Sequence, residues 1–390
     1  MVDATYIRLQ LFHQQQVIHH SMSVHRSATA AGTARYRERL PDAAQDHFRK
    51  SNDLWLSSIG IGTYLGNPDE ETDSRYAEAI ERAVELGVNV IDTAANYRFQ
   101  RSERSIGVAL GELFQRDFKR TEVIICTKGG YLPFDSAPLP DVRGYIEENF
   151  IKTGIATWGE IAGGSHCMTP RYLESQLQQS LGNMKLDCID VYYVHNPESQ
   201  LSAVSQDEFW RRLRAAFDFL ERAVNENKIR FYGVATWNGF REEPDSPGYH
   251  SLETMVGLAR DLAGDEHHFR YIQLPVNLAM PEALFFQNQK LGDEYVSVVE
   301  AAQAFGVTVI ASGALLQGKA AHGLPEAICD SLGSLATDAQ TGIQFVRSAP
   351  GITTALVGMS RVEHVEENLA LVTVETASQE DLISVFDQEE

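Results

Sequence analysis

The sequence lacks a hydrophobic run long enough to cross a membrane. None of its apolar stretches approaches the roughly 20 residues that a bilayer span requires. Its first residues also lack the basic start, the sustained apolar stretch and the small-residue cleavage pattern of a signal peptide. We therefore predict a cytoplasmic protein without a membrane partner.

Positive charge and cysteine are both scarce. The chain has 33 Lys and Arg against 54 Asp and Glu, which gives a formal net charge of -21. Because such a surface disfavours the phosphate backbone, we expect no nucleic-acid partner. There are four cysteines and no CxxC pair, which predicts reduced structural thiols and no metal site. The neighbours His166 and Cys167 leave a metal or redox role as the alternative to two plain loop residues.

Strand-like and helix-like runs alternate from Leu56 onward. The eight strand-like runs are LSSIGIGT, VNVIDTA, EVIICTK, CIDVYYVH, IRFYGVAT, YIQLPVN, VTVIASG and TTALVGM. Each is followed by a run with apolar residues three and four apart, and Ser102 and the pair Thr169-Pro170 are predicted helix starts. Eight βα units predict an α/β protein with a closed (β/α)8 TIM barrel as a single domain. A doubly wound open sheet is the alternative, but the expected GxGxxG motif is missing.

The regions outside the regular repeat define the predicted domain boundaries. Residues 1–50 are predicted as a partly disordered N-terminal extension, and residues 51–372 as the barrel. Residues 373–390 are predicted as a short acidic tail with a helix from Ser378. The long loop after the third strand, residues 129–168, is either a lid or pocket wall, or a subunit contact or disordered insertion.

Polar side chains stand at or just beyond three consecutive strand ends, where a barrel places its active site. They are Asp92, Tyr97, Lys128 and His195. Protonation of a carbonyl oxygen helps a hydride to add at the carbon. A phenol with a pKa of about 10 is a poor acid at neutral pH, and a nearby ammonium lowers that pKa. We expect Lys128 to act on Tyr97 in this way, Asp92 to hold Lys128, and His195 to orient the substrate oxygen. Taken singly, each residue is more often structural.

One sequence block carries a specific resemblance. The block GVNVIDTAANYRFQRSERSIGVAL is similar to the signature DTA-x-x-Y…SE-x-x-[IL]-G of the aldo-keto reductase family. Further similar blocks follow in the family's order, and the likeness runs from about Leu56 to Leu371. The resemblance implies an NAD(P)H-dependent oxidoreductase that interconverts an aldehyde or ketone and its alcohol. In that reaction Tyr97 would be the general acid of reduction and the general base of oxidation.

The resemblance also implies a nicotinamide cofactor that lies extended across the barrel mouth, with NADP favoured and NAD as the alternative. Gln273 matches the residue that binds the nicotinamide amide, the segment ALLQGK matches the pyrophosphate turn, and the start of the last barrel helix matches the adenosine-phosphate end. The matching positions are Thr236, Gln273, Ser312, Leu315, Gln317, Gly318, Lys319, Gly358, Ser360, Arg361, His364 and Asn368.

Three of these positions depart from the family's pattern. Ala235-Thr236 stands where the family often has Ser-Asn, and Ser312 stands where many members stack an aromatic ring. Trp237 is a candidate to supply that ring from another strand end. His364 replaces the arginine that often holds the 2′-phosphate, and Arg361 is a candidate substitute.

The partner is predicted to be a small-molecule carbonyl or alcohol. Candidate pocket walls are Tyr64, Tyr97, Tyr131, Phe134 and Trp158. Because the family's long apolar C-terminal loop is missing, a sugar, aldehyde or small ketone is favoured over a steroid. Two alternatives stay open: a non-catalytic cofactor-binding subunit of the potassium-channel β type, and an NAD-linked sugar or polyol dehydrogenase. The sequence leaves the direction of reaction and oligomer formation open.

Overall fold

A computed structural model of the chain describes residues 26–138 and 140–386. Residues 1–25, the first half of the predicted extension, lie outside the described residues. The described residues form a closed barrel of eight parallel strands, so the open-sheet alternative is wrong. The strands in chain order are β1 Phe48–Ser51, β2 Leu54–Ser57, β3 Ile59–Gly62, β4 Val90–Asp92, β5 Ile124–Gly129, β6 Ile189–His195, β7 Ile229–Ala235, β8 Phe269–Pro275, β9 Gln289–Leu291, β10 Glu294–Val296, β11 Thr308–Ser312 and β12 Ile352–Gly358.

The barrel is formed by β3 to β8 with β11 and β12, and β12 closes it by pairing with β3. Helices surround it, as the alternating pattern predicted. They are α1 Ala30–Glu38, α2 Glu70–Glu85, α3 Arg101–Gln115, α4 Val142–Ile146, α5 Pro170–Met184, α6 Gln206–Asn225, α7 Leu252–Ala263, α8 Glu282–Phe285, α9 Val298–Ala304, α10 Glu326–Ser331, α11 Asp338–Ser348, α12 Val362–Leu369 and α13 Gln379–Ser384.

Most residues of the barrel strands are apolar because both faces of the strands are covered. Every residue of β6 is buried, as is every residue of β5. One core cluster fills the space between barrel and helices, and a second includes Val191 and Tyr193 inside the barrel. The polar residues at the ends of these strands are therefore carried on a closely packed frame.

A β-hairpin formed by β1 and β2 covers the amino-terminal end of the barrel. Leu54 and Leu56 belong to the same interior cluster as Val90 and Ile124, which begin two barrel strands. The Arg49 guanidinium donates to the carbonyl oxygen of Ile352 at the start of β12, at 2.6 Å. Part of the extension predicted as partly disordered is thus regular structure packed on the barrel.

Several predicted element boundaries change in the structure. The run LSSIGIGT is two elements, because the backbone N–H of Ser58 leaves the barrel ladder and donates to the carbonyl oxygen of His47 at 2.6 Å. Ser102 is not a helix cap: α3 begins at Arg101, and the Ser102 hydroxyl donates to the carbonyl oxygen of Thr63 at 2.7 Å. The start at Pro170 and the terminal helix capped by Ser378 are confirmed.

The long loop of residues 129–168 is ordered wherever the structure describes it. It carries α4 and one further turn, Glu147–Ile151, and buries Ile146 and Phe150 against the main core. Its return segment pairs with its start, since the N–H of Leu132 donates to the carbonyl oxygen of Ser165 at 2.8 Å. A disordered insertion is therefore wrong for these residues. None of the described helices is long and apolar enough to span a membrane.

Candidate active site

The four polar residues predicted from the strand ends meet in one place. Asp92 ends β4, Lys128 lies near the end of β5, His195 ends β6, and Tyr97 stands in the turn after β4. The Lys128 ammonium donates to Asp92 Oδ1 at 2.5 Å and to the carbonyl oxygen of Thr93 at 2.7 Å. Asp92, Tyr97 and His195 line a cavity of about 880 Å³ at the carboxyl ends of the strands.

Tyr97 is presented by an uncommon backbone turn. The next three residues, Arg98, Phe99 and Gln100, all have left-handed φ angles of 46°, 57° and 69°. For residues other than glycine such angles cost on the order of 1–2 kcal/mol each. Buried Arg98 stabilises the turn, since its guanidinium pairs with Asp73 at 2.5 Å. Strain is therefore held beside the tyrosine by an anchored side chain.

Burial dominates the electrostatics of Tyr97. Burial raises the pKa of Tyr97 above its ordinary value, while the nearby Lys128 ammonium opposes the rise. The Lys128 Nζ atom lies 4.9 Å from the centroid of the Tyr97 ring. The expectation of a lowered tyrosine pKa was therefore wrong for this structure, although the effect of Lys128 has the expected sign. The phenol stays protonated at neutral pH, which is the form that can donate a proton.

Asp92 and Lys128 form a buried ion pair. Burial alone would lower the pKa of Lys128, but Asp92 and Tyr97 outweigh it and the pKa of Lys128 is raised. Burial raises the pKa of Asp92, and the Lys128 ammonium and the Gln273 amide offset part of that rise. Asp92 holds the ammonium in place as predicted, and each partner satisfies the charge of the other.

His195 is neutral and is placed by ring contacts. Burial, together with the charge of Lys128, lowers the pKa of His195 well below its ordinary value. Its Nδ1 atom is buried without a hydrogen-bond partner among the described residues. The ring meets Tyr97 at 5.8 Å and Tyr131 at 5.1 Å between centroids, edge-on in both cases. A neutral imidazole beside a protonated phenol can orient a substrate oxygen without competing for the proton.

Beside Thr236 and Trp237, behind the cavity lining, lies a carboxylate that the sequence did not single out, Glu198. Glu198 Oε1 accepts from the Thr236 hydroxyl at 2.7 Å and from the N–H groups of Trp237 and Asn238 at 3.0 and 3.3 Å. Burial opposes the shift, but the contact with His250 and, after it, the bond from the Thr236 hydroxyl lower the pKa of Glu198 to about 2. Its position just after His195 in HNPE is a signal of proximity, but its three bonds could not be read from sequence.

Thr236 and Gln273 line the cavity, yet both already have protein partners. The Thr236 hydroxyl donates to Glu198 and accepts from the N–H of Gly239 at 2.8 Å, so it is less available to a ligand amide than expected. Gln273 Nε2 donates to Asp92 Oδ2 at 2.8 Å. The Trp237 ring passes 3.5 Å from the position that a Cβ on Gly313 would take, so it covers the backbone beside Ser312.

Ten of the twelve predicted cofactor positions line the same cavity. They are Thr236, Gln273, Ser312, Leu315, Gln317, Gly318, Gly358, Ser360, His364 and Asn368. Lys319 and Arg361 do not line it; both are exposed, Lys319 in the turn Leu316–Ala321 and Arg361 at the start of α12. Left-handed φ angles at Leu316, Gln317 and Gly318 bend this turn around the cavity edge.

The candidate pocket walls divide into two groups. Tyr64 and Tyr131 line the cavity beside Tyr97, and Tyr64 meets Tyr97 edge-on at 4.9 Å. Phe134 and Trp158 do not line it. Phe134 packs on Tyr145 at 5.6 Å within the long loop, and the Trp158 indole donates to Glu147 there at 2.9 Å. These two candidates are corrected to packing residues of the loop.

The described residues contain no group of three or more His, Cys, Asp and Glu side chains that could hold a metal ion. His166 and Cys167, the pair considered for a metal or redox role, point to different partners. His166 contacts the backbone of His195, whereas the Cys167 thiol lies 3.4 Å from the Thr169 hydroxyl. All four cysteines are free thiols.

A closed (β/α)8 barrel with a buried Asp–Lys pair, a protonated tyrosine and a neutral histidine at its mouth has the groups that general acid–base chemistry requires. Residues 58–242 match the model of the aldo/keto reductase family. This match, which covers 185 of the 390 residues, agrees with the resemblance to aldo-keto reductases that the sequence blocks carry.

Individual relatives agree with this resemblance. An uncharacterized oxidoreductase of Mycobacterium tuberculosis (strain ATCC 25618 / H37Rv) is 24% identical over 83% of this chain and 87% of its own. A putative voltage-gated potassium channel subunit beta of Schizosaccharomyces pombe is 22% identical over 85% of this chain and 91% of its own. A solved aldo-keto reductase from Klebsiella pneumoniae, in complex with NADP and acetate, has the same fold. Its TM-score is 0.58, with 18% identity over 88% of this chain and 95% of that one.

Proposed function

We propose that the protein is an NADP-dependent oxidoreductase that interconverts an aldehyde or ketone and its alcohol by hydride transfer. The observation that carries the proposal is the joint placement of Asp92, Lys128, Tyr97 and His195 at one end of the cavity. The match to the aldo/keto reductase model supports it.

The residues divide the proton work between them. In reduction the Tyr97 hydroxyl donates a proton to the substrate oxygen, and in oxidation the phenolate takes it back. Lys128 stabilises the phenolate that donation leaves, because its ammonium lies close to the phenol ring. Asp92 keeps Lys128 charged and fixed. His195 orients the substrate oxygen toward Tyr97, and its neutral state leaves Tyr97 as the only proton donor of the pair.

The cavity suits a nicotinamide cofactor, which when bound supplies or accepts the hydride. It extends from Asp92 to Asn368, and the turn with left-handed φ angles at its edge directs backbone groups along it. Gln273 stands beside Asp92 at the end where the nicotinamide would lie. NADP is supported by the Klebsiella relative that was crystallised with it. NAD remains the alternative because Arg361 stands outside the cavity lining and His364 within it.

The substrate pocket favours a small carbonyl or alcohol with polar substituents. Around Tyr97 the lining combines the rings of Tyr64 and Tyr131 with the amides of Asn96 and Asn196. The Asn196 amide donates to the Tyr131 hydroxyl at 3.3 Å, so the polar atoms are gathered on one side. None of the described residues after Asn368 lines the cavity.

The test is turnover of a panel of aldehydes, ketones and sugars, followed by NADPH absorbance, with Tyr97→Phe as the diagnostic variant. Loss of the proton donor should lower kcat by at least about 100-fold. Cofactor affinity, measured by fluorescence titration, should stay within about twofold. Tyr145→Phe, a tyrosine outside the cavity, is the matched control and should keep normal turnover. Unchanged turnover of Tyr97→Phe would refute the assignment of the proton donor.

A cofactor-binding regulatory subunit is the second candidate, and the Schizosaccharomyces relative is the observation that favours it. Tight cofactor retention, negligible turnover with the whole panel and a stable complex with a second protein would support it. Substantial turnover by the isolated protein would exclude a purely regulatory role. Parallel titrations with NADPH and NADH would decide between the reductase and an NAD-linked sugar or polyol dehydrogenase.

A further inference from the structure

His166 is a buried histidine that the proposed mechanism does not use. It stands in the return segment of the long loop and is fully excluded from solvent. The N–H of Cys167 donates to the carbonyl oxygen of Gly130 at 2.9 Å, and Tyr131 pairs with His166 across a short antiparallel bridge. The loop thereby places His166 against the backbone of His195, the last residue of β6.

The hydrogen bonds of His166 define one tautomer. Its Nδ1 atom lies 2.8 Å from Gln200 Nε2, which can only donate, so Nδ1 accepts. The Nε2 atom therefore carries the hydrogen and donates to the carbonyl oxygen of His195 at 2.7 Å. Burial lowers the pKa of His166 to about 4, which keeps the ring neutral and suited to this arrangement.

The orientation of Gln200 is fixed in turn. Its Nε2 also donates to the carbonyl oxygen of His166 at 2.9 Å, and its Oε1 accepts from the Arg212 guanidinium at 2.6 Å. Arg212 is paired with Glu208 at 2.8 Å. An uninterrupted series of hydrogen bonds thus runs from the start of α6 through Gln200 and His166 to the backbone of His195.

His166 also supports the wall of the substrate pocket. The Tyr131 ring meets His166 edge-on at 5.2 Å and meets His195 edge-on at 5.1 Å, so it lies between the two histidines. Gly130 permits this close packing: a Cβ there would lie 2.7 Å from His166 Nε2 and 2.9 Å from the carbonyl oxygen of His195. The φ angle of Gly130, 148°, also belongs to the range that favours glycine.

The barrel ladder holds the backbone of His195 where it pairs with Ala235, but its imidazole has little to fix it. Its Nδ1 has no hydrogen-bond partner among the described residues, and its ring is held by packing against Tyr97 and Tyr131. The chain turns left-handed immediately afterwards, at Asn196 with a φ of 41°. We propose that His166 is a positioning residue for proton transfer: by holding the His195 carbonyl and one face of Tyr131, it sets where the His195 imidazole meets the substrate oxygen.

This inference rests on the proposed function, and the main test is His166→Phe, which keeps a ring but loses both hydrogen bonds. Misplacement of a reacting group by about 1 Å costs about 100-fold. We expect kcat to fall about 10- to 100-fold while the Kd for NADPH stays within about twofold. His166→Gln should recover most of the loss, because a carboxamide can also donate to the His195 carbonyl and accept from Gln200.

The matched control is His267→Phe, a buried histidine just before β8 at the opposite end of the barrel. Its kcat should equal that of the wild type, whatever its thermal stability. Should His166→Phe fail to fold, Gln200→Leu removes the bond that orients His166 and should lower kcat in the same direction. A folded His166→Phe with unchanged kcat would overturn the proposal, as would a His166→Gln that recovers nothing.

A crystal structure of His166→Phe separates this inference from the proposed function. We expect the His195 carbonyl and imidazole to move away from Tyr97; an unmoved His195 would overturn the positioning role even where no substrate is turned over. Wild-type protein that reduces no carbonyl, combined with a displaced His195 in the variant, would defeat the proposed function and leave the structural role of His166 established.

Discussion

The two ends of the cavity are built differently. At the proton-transfer end, Asp92, Lys128 and His195 stand on barrel strands and are buried, and they contact one another or shared neighbours. Near the opposite end, where we propose that the adenosine phosphate lies, Lys319 and Arg361 stand outside the cavity lining, on a turn and at a helix start, and both are exposed. Strands that pack on both faces hold their side chains in one position, whereas exposed side chains can change conformation when a ligand binds. The reaction type is thus built more rigidly into the molecule than the choice of cofactor.

The largest effect should follow from Lys128→Met, which tests the end of the cavity that is built on barrel strands. The change removes the stabiliser of the phenolate and leaves the Asp92 carboxylate buried and unpaired. We expect kcat to fall at least about 100-fold and the free energy of unfolding to fall by about 3–5 kcal/mol. Steady-state kinetics and urea unfolding would measure the two losses.

Arg120→Met is the control for that variant. Arg120 pairs with fully buried Asp190 at 2.7 Å, near the other end of the strands. Its loss should cost comparable stability but leave the kcat of the folded protein unchanged. Equal losses of kcat in the two variants would mean that Lys128 serves stability alone.

A smaller effect is expected from Glu198→Gln, which lies between the two ends. The pKa of Glu198 is about 2 in the folded protein, below its ordinary value of 4.5. The ionised carboxylate therefore stabilises the fold fully at a pH above 4.5, and this contribution is lost as the pH falls toward 2. That contribution is on the order of 3 kcal/mol. In Glu198→Gln the free energy of unfolding should be lower at neutral pH and should fall less steeply in acid.

The matched control here is Glu208→Gln. Glu208 also has a pKa lowered to about 2, by hydrogen bonds from Arg211 and Arg212, but its side chain is more exposed than that of Glu198, 28% against 15%. Solvent screening should make its loss almost undetectable in acid unfolding. If both variants unfolded in acid with the same pH dependence, the hydrogen bonds of Glu198 would contribute no more stability than the exposed ion pairs of Glu208.

The exposed end should give effects of only about two- to fivefold, typical of solvated ion pairs. Arg361→Ala should weaken NADPH binding and leave NADH binding unchanged, because only NADPH carries the 2′-phosphate. Lys319→Ala should weaken both equally through the pyrophosphate. Fluorescence titration would measure the four affinities, and an equal loss of both cofactors in Arg361→Ala would count against a 2′-phosphate contact.

The smallest expected effect is a flat pH profile. The pKa of Tyr97 is raised by burial and the pKa of His195 is lowered by burial. Tyr97 stays protonated below its raised pKa and His195 stays neutral above its lowered one. The kcat/KM for reduction should therefore stay constant between roughly pH 7 and roughly pH 9.5, within the ordinary values of about 6.5 and about 10. A descending limb inside that range would show a depressed tyrosine pKa.

Strand-borne features were readily predicted from the sequence. Apolar runs mark buried strands, and Asp92, Lys128 and His195 stand where those runs end, so their convergence follows from barrel geometry. The positions along the cavity came from the family's motifs, and ten of twelve line it.

The features that could not be predicted depend on contacts between distant segments. The net direction of the Tyr97 pKa depends on burial that only the folded loops create. The bonds of Glu198 and the placement of Phe134 and Trp158 depend on loop paths with no periodic signal. The backbone changes direction between Ser57 and Ile59, but no proline marks the change in the sequence. The apolar residues on either side therefore look like one strand.

The amino-terminal hairpin ties together parts of the chain that are synthesised far apart. Arg49 reaches Ile352, and the N–H of Thr376 donates to Asp46 at 3.1 Å. These contacts can form only after Ile352 and Thr376 have been synthesised, and long-range pairing of this kind is slow. Once formed, these contacts couple the two terminal parts of the barrel, so that local unfolding of one part also breaks the contacts of the other.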